Sequence, residues 1–332
     1  MNSRPVAIEL FAGGGGLALG LQLAGMDVRC LMDIDEYCCQ TLQYNSPKYF
    51  PRARIIRKDA RSLSASCLLD SGSVSKGEVD VISGGPPCQS FSLSTIPKGG
   101  RLADDPRDKL LSHFVRLVRG LAPAVFIFEN VPGLLSKNGG SAFTSFRLKM
   151  EKLGYNITHC ILNALDFGVP QHRRRLIVLG SLDKVLDFPF PSVRRSGSKW
   201  PEGSTIAGAF SHLTGDLSNH QTPNHIPRTL QRFATIPQGS VWKHWKHRDK
   251  WNDPSRCITA HCRDEWIHPL EDRTGTVREM AALQTFPLDY VFQGPVSLPH
   301  NHNRSSQYRQ VGNAVPVLLA KAIGEAVGRT LG

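Results

Sequence analysis

Short apolar runs alternate with helical periodicity through the first half of the chain. Val6–Leu10 has the length and composition of a strand, a glycine cluster at 13–16 interrupts it, and Leu17–Ala24 repeats its apolar positions as a helix does. Val28–Met32 is the next strand and ends in Asp33 and Asp35. Arg54–Arg57 ends at Asp59, Val79–Ser83 runs into Gly84-Gly85-Pro86-Pro87, and Val125–Phe128 ends at Glu129. Leu110–Leu121 is an amphipathic helix and Leu176–Gly180 a further strand. Strands that alternate with helices predict a parallel, doubly wound α/β sheet, and such sheets bind ligands outside the carboxyl ends of their strands. The glycine-rich and acidic residues fall at those ends.

The texture changes between about Phe188 and His302. Strand–helix alternation is lost, and the segment holds all five tryptophans and nine of the twelve histidines. Val315–Val327 then returns to an amphipathic helix like those of the first half. The expected organisation is a catalytic and cofactor-binding domain at 1–184, a small irregular domain at 185–303, and a C-terminal segment at 304–332 that rejoins the first.

Composition narrows the class. The 332 residues are 40% hydrophobic and 20% charged, ordinary values for a globular protein. Lys and Arg number 40 against 28 Asp and Glu, a formal charge of +12, which predicts a polyanionic partner. No apolar run approaches the roughly 20 residues of a membrane helix. Residues 1–4 show no charged-then-apolar leader, so a cytoplasmic protein with reduced thiols is expected. The eight cysteines include no Cys-x-x-Cys pair, and the spacing of Cys257, His261 and Cys262 fits no common zinc pattern.

Several strand ends carry candidate chemistry. The glycines after Val6–Leu10 suit either close approach of backbone to a ligand or a tight strand-to-helix turn. Asp33 is placed to take the two hydroxyls of a ribose, and Asp59 to accept from an adenine amino group. Cys88, behind two prolines on a stiff loop, reads as a positioned nucleophile or as an inert buried thiol. Glu129 is a general acid if it keeps its proton beside that thiol, and a solvated loop acid otherwise. The run Gln171-His172-Arg173-Arg174-Arg175 could hold an anionic group or form a basic turn.

Taken in order, these segments resemble the DNA (cytosine-5)-methyltransferases of the bacterial modification type. The resemblance is carried by Phe11-Ala12-Gly13-Gly14-Gly15-Gly16, by Pro86-Pro87-Cys88-Gln89-Ser90-Phe91-Ser92, and by Asp105-Pro106-Arg107-Asp108-Lys109-Leu110. It continues in Glu129-Asn130-Val131, in Gln171, Arg173 and Arg175, in Arg278-Glu279 with Leu283-Gln284-Thr285-Phe286-Pro287, and in Gln310-Val311-Gly312-Asn313-Ala314-Val315-Pro316. It implies a Rossmann-like, S-adenosylmethionine-dependent large domain with a small target-recognition domain. The implied reaction moves a methyl group to carbon 5 of a cytosine flipped out of a specific double-stranded DNA sequence, through a covalent adduct with Cys88.

The resemblance also implies residue roles. Glu129 would hydrogen-bond ring nitrogen 3, Arg175 the base carbonyl with Arg173 nearby, and Asn130 would order the catalytic loop or the base. Phe11, Gly13 and Gly15 would surround the cofactor, Asp33 would take its ribose, Ile34 would pack on adenine, and Asp59 followed by Ala60 would read the adenine amino group. Pro87 and Leu110 would line the pocket, and Asn313 and Val315 would close it. Residues 90–101 would close over the DNA, and the basic, tryptophan-rich stretch 242–248 would meet it. Cys257 stands where the family usually has Thr, and Ile34 and Asp33 are smaller than the residues common at their positions. Implied partners are duplex DNA and a cognate restriction endonuclease, with the enzyme acting as a monomer and without a membrane. Two other readings share many motifs: a transfer-RNA cytosine-5 methyltransferase, whose usual Cys-Phe-Thr tripeptide is absent here, and a catalytically inactive DNA-binding paralogue.

Overall fold

The computed structural model describes residues 4–87, 109–189, 191, 200, 203–243, 245–299 and 304–331, with backbone only at 109, 137 and 138. Among these residues the chain runs β1 (Val6–Leu10), α1 (Gly16–Leu23), β2 (Asp27–Asp33), α2 (Glu36–Tyr49), β3 (Arg54–Arg57), α3 (Ala65–Gly72), β4 (Val81–Gly84), α4 (Lys109–Leu121), β5 (Val125–Asn130), α5 (Ser141–Glu151), β6 (Asn156–Asn163) and β7 (Arg174–Ser181). It continues with α6 (Ile206–Phe210), α7 (Pro227–Ala234), β8 (Ser240–Trp242), β9 (Lys246–Arg248), α8 (Cys262–Glu265), β10 (Trp266–Ile267), α9 (Val277–Leu283), α10 (Gln307–Asn313) and α11 (Val317–Leu331).

Seven strands form one sheet in the order β3-β2-β1-β4-β5-β7-β6. The first five are parallel, and the apolar cores of β1, β4 and β5 suit strands covered on both faces. The expectation of a parallel sheet fails at one edge. β7 runs antiparallel to β5, and β6 antiparallel to β7. The hairpin was hidden because β6 (NITHCILN) is a half-polar edge strand with no apolar run.

Helices cover both faces. On one side α1, α2, α9 and α11 share a core with alternate residues of β1, β2, β4, β5 and β7. On the other side α3, α4 and α5 cover the remaining residues, with Phe114, Phe126, Phe128 and Phe146 in edge-on or tilted contact. The pairing of α1 with α11 depends on two glycines: a Cβ at Gly20 would lie 2.3 Å from that of Ala320, and one at Gly324 would lie 2.7 Å from that of Ala24. Helix starts follow ordinary capping chemistry. Asp35 accepts from Tyr37 and Cys38 at α2, and Thr276 and Glu279 form a reciprocal capping box at α9.

The described residues from 188 to 299 hold short elements, among them a three-stranded sheet β10-β9-β8 over a small cluster of Phe233, Ile236 and Ile267. The main core nevertheless reaches into this stretch. Ile258, Trp266, Met280, Leu283, Phe286, Tyr290 and Phe292 pack with β1 and α1.

Candidate active site

Strand register lines up the chemistry along one edge. Leu10, the last residue of β1, pairs with Met32 on one side and Gly84 on the other, and Gly84 pairs with Phe128. The loops after β1, β2, β4 and β5 therefore emerge side by side. β1 is the switch point, with β2 on one flank and β4 on the other, where a doubly wound sheet opens a crevice.

On the β1–β2 side, Phe11 takes a left-handed backbone (φ 57°), unusual for a bulky residue and a form of strain that gathers at functional sites. Gly13 also has positive φ (54°), and a Cβ there would meet no atom within 4 Å. Its neighbours differ. A Cβ at Gly14 would crowd Phe292 and the Gln310 carbonyl, one at Gly15 would lie 2.5 Å from Tyr290 Oη, and one at Gly16 would lie 2.2 Å from the Val315 carbonyl. Of the four glycines only the first faces open space; the other three admit protein. Tyr290 was not singled out from sequence, yet its Oη donates to Gly14 O at 2.9 Å and fixes the loop.

Asp33 accepts from Gly13 N (2.7 Å) on one oxygen and from Asp35 N (2.8 Å) on the other. Burial raises its carboxyl, and those backbone donors pull it back down in part. Ile34 beside it is 58% exposed, a large apolar surface without cover. Asp59 is held below the usual carboxylate range, chiefly by the side-chain hydrogen bond from Arg61. Ala60 is buried, Leu110 half-buried, Pro87 and Asn313 exposed, and Val315 buried against Gly16.

At the end of β5, Glu129 Oε1 is 3.0 Å from Arg175 Nε. The antiparallel β7 delivers this partner: its first residues lie against the last of β5, with Asn130 opposite Leu176. The second oxygen, Oε2, lies over Gly85, where a Cβ would stand only 2.8 Å away. Burial raises the Glu129 carboxyl, and Arg175 and Arg173 only partly reverse this, so the group holds its proton above the ordinary range. Asn130 is buried, donates to Pro86 O (3.3 Å) and accepts from Val131 N (2.8 Å), tying the β4 loop to β5.

Arg173 does something other than the expected work beside the base. It is 1% exposed, and its guanidinium donates to three carbonyls: Ile258 (2.5 Å), Gly312 (3.0 Å) and Ala314 (2.8 Å). It clamps the segment 255–258 to the C-terminal motif. Gln171 and Gln284, both fully buried, complete this junction. Gln171 donates to Leu283 O and Gln284 Oε1 and accepts from Ile258 N, while Gln284 donates to Val311 O. In the stretch expected to meet DNA, Arg248 is buried and paired with Asp272, so it is not available as a reader; Lys243 and Lys246 lie over the rings of Trp242 and Trp245. Trp266 is core, as expected of most tryptophans, whereas Trp245 is exposed. Cys88 and residues 90–101 lie outside the described residues. Among the described residues no three His, Cys, Asp or Glu side chains converge as a metal site, and no single helix is long and apolar enough to cross a membrane.

Comparison with known proteins decides the family. The family model for the C-5 cytosine-specific DNA methylases matches residues 6–329. The chain belongs to that family. Among its relatives, the Type II methyltransferase M1.HphI of Haemophilus parahaemolyticus is 38% identical over 345 residues, spanning 96% of this chain and 86% of its own. The Type II methyltransferase M.DdeI of Desulfomicrobium norvegicum is 32% identical and spans 96% and 88%. A prophage-encoded Escherichia coli protein assigned as a DNA modification methyltransferase superposes with a TM-score of 0.73 at 25% identity, covering 99% of both chains. The methylase is thus a DNA cytosine-5-methyltransferase that uses S-adenosylmethionine. Its residues fit that cofactor: Gly13 opens on empty space, Asp33 retains acceptor capacity on both oxygens, and Ile34 offers an uncovered apolar face.

Gly85 gives a first test in this methylase. An added methyl collides with the mobile end of Glu129 rather than with backbone, so the fold should survive while the carboxyl is displaced. Gly85→Ala is expected to slow methyl transfer about 10- to 100-fold with an unchanged thermal unfolding curve. Equal rates in the variant and the parent would show that Glu129 tolerates the shift.

Proposed function

We propose that the enzyme methylates carbon 5 of one cytosine within a specific duplex sequence, and does so through a covalent adduct with Cys88. The observation that carries this reading is the Glu129–Arg175 pair at the carboxyl edge of the sheet, with burial raising the acid's pKa against the pull of the arginines. Carbon 5 of cytosine is a weak nucleophile. Addition of the Cys88 thiolate to carbon 6 makes it enamine-like, and charge then develops on the ring. Glu129 meets that charge by donating its proton at ring nitrogen 3 from Oε2, while Oε1 stays on Arg175. Such aimed donors are worth about 3 kcal/mol each. When bound, S-adenosylmethionine supplies the methyl group as an electrophile on its sulfonium. Gly13, Asp33, Ile34 and Asp59 hold it, with Phe11, Gly15, Ala60, Pro87, Leu110, Asn313 and Val315 around them. Loss of the carbon 5 proton and departure of Cys88 complete the exchange.

Carbon 6 is out of reach inside a duplex, so the base must swing out at a cost of a few kcal/mol, which phosphate contacts to the basic surface offset. Residues 185–303 form the DNA-facing unit, although Trp266 and α9 pack with the main core. The Type II names of the relatives support a modification role beside a restriction endonuclease, carried out by a monomer in the cytoplasm.

The test uses labelled cofactor with duplex DNA or transfer RNA, followed by a duplex carrying 5-fluorocytosine, whose carbon 5 has no proton to lose. Label in DNA and a denaturation-resistant adduct mapped to Cys88 are expected. Label in RNA alone, or an adduct on another residue, would overturn the reading.

A further inference from the structure

Cys257 has no part in the roles above, yet it sits at the centre of the junction. Its segment is fixed on both sides of the sulfur. His172 N donates to Ser255 O (2.8 Å), Ser255 N to Pro170 O (2.9 Å), and Ile258 N to Gln171 Oε1 (3.0 Å). The half-buried sulfur therefore faces the arginine run in a set position. It accepts from Arg173 Nη1 at 3.5 Å, and the Arg175 guanidinium acts on it by charge. As a thiol, Cys257 donates to Ile258 O at 3.6 Å, a carbonyl that already takes Arg173 Nη1 at 2.5 Å, so loss of the thiol proton leaves that carbonyl paired.

Charge makes this arrangement informative. Two guanidiniums stand side by side, and among the described residues the ion pair they make is with one carboxyl, Glu129. Resting on the proposed function, Glu129 must be neutral when it serves the base. Its proton would leave the buried Arg173 and the half-buried Arg175 without a counter-charge, which is unfavourable away from water. We propose that Cys257 is a positioning residue whose thiolate is the counter-charge of the Arg173–Arg175 pair, holding both guanidiniums in place while Glu129 carries its proton.

The electrostatics agree with the geometry. Burial pushes the Cys257 thiol up, and the charges and hydrogen bonds of Arg173 and Arg175 more than reverse this, leaving it below an ordinary thiol. Arg256 on the same segment pairs with Asp249, Glu129 on β5 pairs with Arg175, and the buried Glu9 on β1 interacts by charge with Glu129. The segment 310–316 presents carbonyls and no titratable group.

The first experiment needs no variant. The unmodified enzyme is alkylated with iodoacetamide between about pH 5 and pH 10, and modification at Cys257 is followed by peptide mass spectrometry. A midpoint below the free-thiol value of about 8.5 is expected; one at or above it overturns the proposal. The second compares pH profiles of single-turnover methyl transfer. Without the negative sulfur, Arg173 and Arg175 act on Glu129 unopposed and lower its pKa. The alkaline limb of Cys257→Ser should therefore move down by about one pH unit, and Cys257→Asp should restore it. Identical limbs in the serine and aspartate variants, whatever the rates, would reduce the sulfur to packing. The alkylation result stands apart from the proposed function, which fails separately if no adduct forms at Cys88.

Discussion

Methyl transfer by the Glu129→Gln enzyme is expected to fall by about two to three orders of magnitude, and the alkaline limb of its pH profile should disappear. The carboxyl is pulled two ways. Burial raises its pKa, and Arg175 first and Arg173 second lower it, with burial prevailing. The protonated form therefore persists above the usual carboxylate range and is lost as pH rises through the raised value. A rate that needs this proton declines on the alkaline side. Glutamine is the same shape and keeps an oxygen for Arg175, so the pair survives in outline. It has an amide donor for ring nitrogen 3 but no proton to give. Nothing remains at that position to titrate, so the remaining activity should be flat on the alkaline side. Single-turnover rates across the pH range decide this, and a variant that kept both the parent rate and the parent limb would remove Glu129 from the chemistry.

The second large effect is on stability. Arg173→Met should cost about 3–5 kcal/mol and weaken cofactor binding as well. Methionine fills a similar volume but removes the donor to Gly312 O and leaves Ile258 O and Ala314 O only the longer bonds from Cys257 and Gln284, in a region where Arg173 is 1% exposed. Two of those carbonyls flank Asn313, so the loss falls on the segment proposed to close the cofactor pocket. The approach there is already close: a Cβ at Gly312 would lie 1.9 Å from the Thr259 carbonyl. Chemical denaturation and cofactor titration measure the two effects. A loss below about 1 kcal/mol would mean that water or a rearranged chain replaces the guanidinium.

The strand ends were readable in the sequence because each apolar run stops at a residue that does not belong in a core. Asp33, Gly84 and Glu129 announce the edge where the crevice opens. The glycine cluster was readable as a turn but not as a division of labour, since only a folded neighbour distinguishes Gly13, facing space, from Gly16, facing Val315. The hairpin β6–β7 escaped because an edge strand needs no apolar run. Arg173 was misplaced for a related reason. Two arginines two residues apart on an extended chain look equivalent, yet one reaches the Glu129 carboxyl and the other is swallowed by three carbonyls from distant segments. Arg278 behaves in the same way, donating to Ser218, Pro287 and Tyr290 carbonyls. Partners contributed from far along the chain leave no local trace.

The seam between α1 and α11 imposes an order on the molecule's birth. The ribosome releases the glycine loop and α1 about 300 residues before the helix that covers them. At 5–20 residues per second, Leu17 and Leu21 wait roughly 15–60 s for their cover. Until then the cofactor loop lacks Val315 and the wall behind it, so the nascent enzyme should be unable to hold its methyl donor before α11 has emerged.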